Sequence, residues 1–163
     1  MKSASCWVVL FALSQTFATS SVAEESNDES FGDFLVRFEE AQSRFVNGDP
    51  TLWLALAARD ESVTIFGAFG GYERGWTEVG PRFEWAASQY RSSGAKKSIE
   101  YLSKYADANV AYTVAIERDE VRTAGEATEP RALRVTQVFK RVDGDWRLAH
   151  RHADPLIAKR PPN

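Results

Sequence analysis

The stretch Leu133–Asp154, LRVTQVFKRVDGDWRLAHRHAD, decides the fold because it predicts a β-hairpin. Two runs of alternating apolar and polar residues flank Asp143-Gly144-Asp145, whose glycine adopts positive φ without steric cost. The second run contains both histidines of the chain, His150 and His152, at alternate positions. Alternate side chains of a strand leave the same face of the sheet, so the two histidines are expected side by side.

The loop length of this hairpin sets which residues share a face with the histidines. A three-residue loop gives four pairs: Val142 with Trp146, Val138 with His150, Thr136 with His152, and Arg134 with Asp154. One face then carries Trp146, Leu148, His150, His152, Asp154, Thr136 and Arg134. A two-residue loop would instead place Arg134 beside Arg147 and Arg151, and such stacking of cations is unfavourable. We therefore expect the three-residue loop.

The composition predicts one globular domain. The chain has 163 residues, of which 44% are hydrophobic, enough for a sizeable core and too few for two ordinary domains. The formal net charge is −3, and no basic stripe stands out along the sequence. These features argue against a nucleic-acid partner.

Residues 1–23 have the pattern of a secretory signal peptide. Lys2 precedes an apolar core from Cys6 to Leu13, and Ser21-Val22-Ala23 fits the small-x-small cleavage rule. The apolar run is too short for a permanent bilayer span, so no stable membrane insertion is expected after signal removal, although an N-terminal anchor is the alternative. The sequence thus predicts an exported protein, periplasmic or secreted. Cys6 is the single cysteine, so the mature chain would have neither a disulfide nor a nucleophilic thiol.

The rest of the chain alternates between helical and strand periodicity. The predicted organisation is an acidic disordered leader at 24–30, a domain at 31–156 and a Pro-rich tail at 157–163. Within the domain we predict helices from Phe31 to about Phe45, Pro50 to about Ala58 and Thr77 to Tyr90, and strands at Val63–Phe66, Lys96–Tyr105 and Asn109–Arg122 before the hairpin. Strands are largely segregated from helices, which indicates an α+β fold with a curved sheet wrapped on helices.

These elements, the FGGYERGW loop before a helix, the AYTVAIE strand and the closing hairpin together resemble the nuclear transport factor 2-like superfamily, in its SnoaL-like and ketosteroid isomerase-like branch. The resemblance covers about Phe31 to Leu156. It implies a cone-shaped fold, in which three N-terminal helices and a strongly curved, mostly antiparallel sheet enclose a pocket, and a homodimer formed through the sheet. A ketosteroid isomerase would place a carboxylate base near Ile65-Phe66-Gly67, and this chain has none there. The W-x-x-x-H-x-H pattern also resembles the oligomeric association domain of calcium/calmodulin-dependent protein kinase.

The candidate site combines charged and imidazole side chains. If Arg122 pairs with Glu129, Glu117 falls opposite Arg134, and a buried guanidinium needs such a partner. We predict that Arg134 binds an anionic or carbonyl oxygen, with His150 or His152 as a catalytic acid or base. The other predicted ligand-binding residues are Glu117, Thr136, Asp154, Trp76 and Tyr72, the last two from the glycine-rich loop near the expected cone opening.

Three functions stay open on this basis: binding of a small organic ligand, acid–base catalysis of the isomerase, cyclase or hydrolase type, and oligomerisation without catalysis. The purely structural interpretation of the same residues is an internal ion pair with two hydrogen-bonded histidines. His150 and His152 with Asp154 could suggest a metal, but none is expected, because alternate strand positions supply two ligands and nothing marks a third at helix spacing. No cofactor is expected either, since the glycine-rich loop lacks the spacing of a phosphate-binding motif.

Overall fold

The computed structural model describes residues 29–91, 97–121 and 129–161. The predicted signal peptide and most of the predicted leader lie outside the described residues. The helices are α1 (Phe31–Phe45), α2 (Thr51–Leu56) and α3 (Trp76–Gln89), and the strands are β1 (Thr64–Phe66), β2 (Glu73–Arg74), β3 (Lys97–Ala106), β4 (Val110–Val121), β5 (Glu129–Val142) and β6 (Asp145–Pro155). The predicted α+β class is confirmed. The two-residue strand β2 lies in a segment that the sequence analysis treated as loop.

Helix α1 forms where the apolar stripe predicts it. The Ser30 hydroxyl accepts a hydrogen bond from the backbone N–H of Asp33 and so caps the helix. Phe34, Leu35 and Phe38 are buried along one side. The helix ends before Gly48, which has a φ of 94°.

The six strands form one sheet in the order β2-β1-β6-β5-β4-β3. All neighbouring pairs are antiparallel except β1 and β6, which are parallel. One face of the sheet, here called the inner face, packs against the helices: the Phe38 ring lies 4.7 Å from that of Trp53 on α2 and 5.0 Å from that of Phe139 on β5. The opposite side is the outer face. No helix within the described ranges is long and apolar enough to cross a membrane.

The closing hairpin has a two-residue loop, not the expected three-residue loop. Asp143 and Gly144 have φ values of 52° and 86°, as a type I′ turn requires, and Val142 pairs with Asp145. The predicted pair of Val142 with Trp146 is therefore wrong. A β-bulge at Ala149 then adds one residue to β6 and restores the predicted register. The pairs Val138 with His150, Thr136 with His152, and Arg134 with Asp154 are confirmed.

The bulge changes which residues of β6 face the helices. Before Ala149, the inner residues are Trp146 and Leu148, both fully buried. After it, Arg151 and Ala153 face inward, and the side chains of His150, His152 and Asp154 leave the outer face. The expectation that the histidines share a face with Trp146 and Leu148 is wrong, because one inserted residue reverses the alternation.

The pairing of β4 with β5 also differs by one residue from the prediction. Val121, not Arg122, is paired with Glu129, and residues 122–128 lie outside the described residues. Glu117 therefore pairs with Leu133 and lies on the inner face, whereas Arg134 lies on the outer face. The predicted juxtaposition of Glu117 and Arg134 is wrong.

Candidate functional site

A pocket lies between the three helices and the inner face of the sheet; we call it the inner pocket. Its apolar walls include Phe45, Trp53, Ile65, Phe83 and Leu133, and its polar lining includes Gln42, Lys97, Glu117, Arg131 and Arg151. The Gly67–Phe69 loop and Arg82 border it as well. The free space, including the part open to solvent, is about 590 Å³. A volume of this order with apolar walls and a few convergent polar groups is typical of small-molecule sites.

A buried ionic cluster lines this pocket; Gln42, Lys97, Glu117 and Arg151 form what we call the Glu117 cluster. Arg151 donates from both terminal nitrogens to the two Glu117 oxygens at 2.9 and 2.8 Å. The Lys97 ammonium donates to Oε2 at 2.8 Å, and the Gln42 amide donates to Oε1 at 2.8 Å. The side chains of Glu117, Lys97 and Arg151 are only 2%, 6% and 11% exposed.

Burial and charge act in opposite directions on the Glu117 carboxyl. Burial alone raises its pKa, but the charges and hydrogen bonds of Arg151 and Lys97 outweigh this and hold the pKa below its usual range. Burial lowers the pKa of Lys97, the Arg151 charge lowers it further, and Glu117 counteracts only part of the shift. Glu117 is therefore a fixed anion, and Lys97 is the group in the cluster that gives up a proton most easily.

A second ion pair lies next to the Glu117 cluster. Arg131 donates to Asp119 from Nε at 3.0 Å and from Nη2 at 2.8 Å, and it also donates to the Tyr90 hydroxyl. Burial by itself lowers the pKa of Arg131, but the hydrogen bond to Asp119 and the field of Tyr90 raise it overall. Arg131 is thus a permanent cation beside the pocket.

The charges around the inner pocket do not cancel. Arg82 at the border is paired with Glu73 at 3.0 Å. The cations Lys97, Arg131 and Arg151 face only the carboxylates of Glu117 and Asp119, so one positive charge is in excess. The Lys97 ammonium has three N–H groups, and one of them donates to Glu117. The inner pocket can therefore accept an anionic group without losing its internal ion pairs.

Two polar atoms near this excess charge have no hydrogen-bond partner among the described residues: Oε1 of Gln42 and the indole N–H of Trp53. Both residues line the pocket. The orientation of the Gln42 amide is fixed, because ionised Glu117 accepts hydrogen bonds and cannot donate one. A buried acceptor and a buried donor are therefore available beside the apolar wall.

Most of the sequence-predicted site lies on the other side of the sheet. We call this set the outer group: Arg134, Thr136, His150, His152 and Asp154. Arg134 donates to Asp154 at 3.1 and 2.6 Å, with side chains 54% and 38% exposed. The binding and catalytic roles of the outer group stay predictions. The side chains of this group do not share a cavity with Glu117.

The two histidines are held by β1. Thr64 Oγ1 lies 2.8 Å from His150 Nδ1, and the Phe66 ring lies 5.3 Å from the rings of both His150 and His152. Partial burial lowers the pKa of His150, and the neighbouring His152 lowers it further. His150 is therefore a weak base in an aromatic surrounding.

The two aromatic candidates from the glycine-rich loop do not line the inner pocket. Trp76 begins α3, packs against the core and lies 5.1 Å under the Arg59 guanidinium. Tyr72 is 74% exposed and contacts Phe66. Their predicted part in ligand binding is untested.

Sequence reasoning missed Lys97, Arg151, Arg131 and Gln42. The sequence did contain a signal for Gln42, which lies four residues after Phe38 and three before Phe45 on the apolar stripe of α1. The sequence contained no such signal for Arg151, because this residue lies between two histidines. An unbroken strand would place both histidines on the inner face and Arg151 on the outer face. In the described ranges, no three His, Cys, Asp or Glu side chains are placed to bind a metal ion.

The profile of the SnoaL-like domain matches residues 71–158, which span most of the sheet and helix α3. The chain belongs to the SnoaL-like domain family. No curated protein gives a significant match to the sequence.

Solved structures with the same fold include members of the nuclear transport factor 2-like superfamily. A protein from Thiobacillus denitrificans, provisionally described as a calcium/calmodulin-dependent protein kinase type II association domain, is 22% identical, with a TM-score of 0.59 over 78% of this chain and 96% of its own. A provisionally described dehydratase from Streptomyces avermitilis is 17% identical, with a TM-score of 0.64 over 78% and 94%. A superfamily protein from Salmonella enterica is 18% identical, with a TM-score of 0.58 over 77% and 94%. At these identities, the likeness supports the fold alone.

Proposed function

We propose that this SnoaL-like domain is exported and binds a small organic anion in its inner pocket. The excess positive charge of the pocket carries the proposal, since two buried cations share the single carboxylate of Glu117. An apolar body would lie against Trp53 and Phe83, and a carboxylate would accept from Lys97 and the neighbouring guanidinium groups. Buried cations of this kind are costly unless a counter-charge approaches, so an anionic ligand also stabilises the fold.

The size of the pocket limits the ligand further. The free space is about 590 Å³ including the part open to solvent, so the enclosed part has room only for a small organic molecule. We therefore expect carboxylates with one ring or a short chain. Phenylacetate and 3-phenylpropionate are suitable probes.

Thermal shift and calorimetry with 3-phenylpropionate and its uncharged amide test the proposal. The carboxylate should stabilise the domain by about 2.7 kcal/mol at a hundred times its dissociation constant, and the amide should not. Lys97→Met removes the excess charge but leaves Glu117 with Arg151 and Gln42, so it should lose carboxylate binding. Arg134→Met is the matched control on the outer face, and its binding should be unchanged. If a panel of small carboxylates gives no shift, or Lys97→Met binds them as well as wild type, the proposal is wrong.

Catalysis by a histidine in this pocket is less well supported. His150 and His152 leave the outer face, so neither is placed to act on a molecule beside Glu117. The similar fold of the provisional dehydratase is compatible with an enzymatic role but does not supply the residues for one.

Oligomerisation through the outer face is a second candidate function. On β4 the larger apolar side chains, Val110, Tyr112, Val114 and Ile116, face outward, whereas Ala111, Thr113 and Ala115 face the helices. Tyr112 stacks on Tyr105 of β3, and Leu102 on the same strand is 60% exposed. Exposed apolar surface of this kind is typical of an interface. A homodimer would bury this face.

Sedimentation analysis of wild type and Tyr112→Lys tests the second candidate. The wild type should sediment as a dimer and the variant as a folded monomer, with Arg91→Glu on a different surface as the control. A monomeric wild type at high micromolar concentration would contradict the candidate without affecting the inner pocket.

A further inference from the structure

The Glu117 cluster contains one cation whose surroundings hold its pKa below the ordinary value. Arginine stays protonated, and the Glu117 carboxylate is ionised between two cations. Lys97 is the exception, because burial and the neighbouring Arg151 both favour its neutral amine. A lysine that is desolvated and close to a second cation is the usual form of an activated amine nucleophile.

The position of Lys97 gives this amine access to a bound molecule. Its side chain lines the inner pocket, is 6% exposed to solvent and contacts one oxygen of Glu117 at 2.8 Å. Trp53, Phe83 and Leu133 form apolar walls of the same cavity. A molecule held in this cavity would meet the amine with little surrounding water.

We propose that Lys97 forms a reversible imine with a small aldehyde or ketone that carries a carboxylate, the chemical class of the 2-oxo acids. The inference rests on the proposed function, because the carboxylate is what the excess positive charge of the pocket selects. It adds a covalent step to that binding and identifies the atom that takes part, Nζ of Lys97.

The step balances without any other reactant. The ammonium first releases a proton to solvent, and the amine lone pair attacks the carbonyl carbon to form the C–N bond. The carbonyl π electrons move to oxygen, which takes up a proton while the attacking nitrogen releases one, and the product is a neutral carbinolamine. Expulsion of that oxygen as water, with a second proton, leaves a protonated imine. Overall, one ammonium and one carbonyl give one iminium ion and one water.

The charges around Lys97 suit the iminium ion as well as they suit the free ammonium. The iminium ion has the same charge as the ammonium, so the contact with Glu117 persists and the bidentate bond from Arg151 is undisturbed. Both hydrogen bonds from Arg151 to Glu117 come from its terminal nitrogens, so its Nε–H can donate to the ligand carboxylate. The free amine form, in contrast, leaves Glu117 with one cation fewer. The Glu117 carboxylate therefore keeps both of its cationic partners when the iminium ion forms.

Reductive trapping tests the inference on the full-length mature protein. Wild type is incubated with phenylpyruvate and sodium cyanoborohydride, and the product is mapped by peptide mass spectrometry. We expect one adduct per chain, at Lys97. Lys97→Arg keeps the charge and the contact with Glu117 but has no amine, so its adduct should be absent. Lys140→Arg, which changes a lysine paired with Asp60 outside the pocket, should be labelled like wild type.

The parallel ligand 3-phenyllactate has a hydroxyl where phenylpyruvate has its ketone, and it separates the two proposals. If both ligands shift the melting temperature and no adduct forms at Lys97, the imine is wrong and anion binding stands. If neither ligand shifts it and no adduct forms, both proposals are wrong. Labelling spread evenly over several lysines, and equal in Lys97→Arg, would also overturn the imine. An adduct confined to Lys97, together with a shift from 3-phenyllactate, supports both.

Discussion

The two carboxylate–guanidinium pairs on opposite faces of the sheet are both bidentate and have similar hydrogen-bond distances. Arg151 meets Glu117 at 2.9 and 2.8 Å, and Arg134 meets Asp154 at 3.1 and 2.6 Å. Their surroundings differ: the first pair is buried under the helices and shared with Lys97, and the second is about half exposed. Two bidentate pairs therefore have different consequences, because water screens the outer pair and is excluded from the inner one.

The same difference separates a binding site from a surface ion pair. On the outer face, solvent competes with any ligand for Arg134, and Asp154 already satisfies its charge. On the inner face, three cations meet two carboxylates next to apolar walls, so a ligand anion meets little competition. Carboxylate and guanidinium groups are common to both faces, so residue type alone does not identify the site. Burial distinguishes the two faces.

The largest effect is expected from neutralising the inner carboxylate. Glu117→Gln keeps the shape of the side chain but leaves Lys97 and Arg151 buried without a counter-charge. The free energy of unfolding should fall by about 3–5 kcal/mol, measured by urea denaturation. Asp154→Asn is the matched change on the outer face and should leave the urea midpoint unchanged. Equal losses in the two variants would mean that burial does not separate the pairs.

A smaller effect on the stability of the inner pair is expected when the pH is lowered. The pKa of Glu117 in the folded protein lies below its ordinary value of 4.5, so the stability it contributes is fully present above that pH and is lost as the pH falls below it. The difference in unfolding free energy between wild type and Glu117→Gln should thus shrink as the pH falls below 4.5. A difference that stays constant down to the acid limit of folding would contradict the assignment.

The smallest effect is expected on the outer face, at His150. Its pKa lies below the ordinary value of 6.5 because of partial burial and the nearby His152. The unfolded chain therefore binds a proton more readily, and folding should become slightly less favourable as the pH falls through 6.5. NMR titration should give a midpoint below 6.5 for His150, and His152→Gln should raise it. A midpoint above 6.5, or one unmoved by His152→Gln, would contradict this electrostatic account.

Much of the fold could be predicted, because local periodicity determines it. The stripe from Phe31 to Phe45 gave α1, and the alternation of Val110, Tyr112, Val114 and Ile116 gave β4 and its two faces correctly. The family resemblance then supplied the arrangement of helices and sheet. Each of these signals lies within one segment and does not depend on how two strands are aligned.

The site could not be predicted, because it depends on strand alignment. In β6, the residues Trp146, Leu148, His150 and His152 form one unbroken alternation in the sequence, yet they divide between two faces at Ala149. No property of alanine marks a bulge. A slip of one residue between β4 and β5 likewise gave Glu117 the wrong partner. Export and dimer formation stay predictions.

The bulge at Ala149 has a consequence for redesigning the protein. Beyond Ala149, the number of residues in β6 decides whether Arg151 or the two histidines face the pocket. Shortening the strand by one residue would bring His150 and His152 toward the helices and turn Arg151 toward solvent. A library of single deletions and insertions around Ala149 would therefore sample two different pocket chemistries on one scaffold.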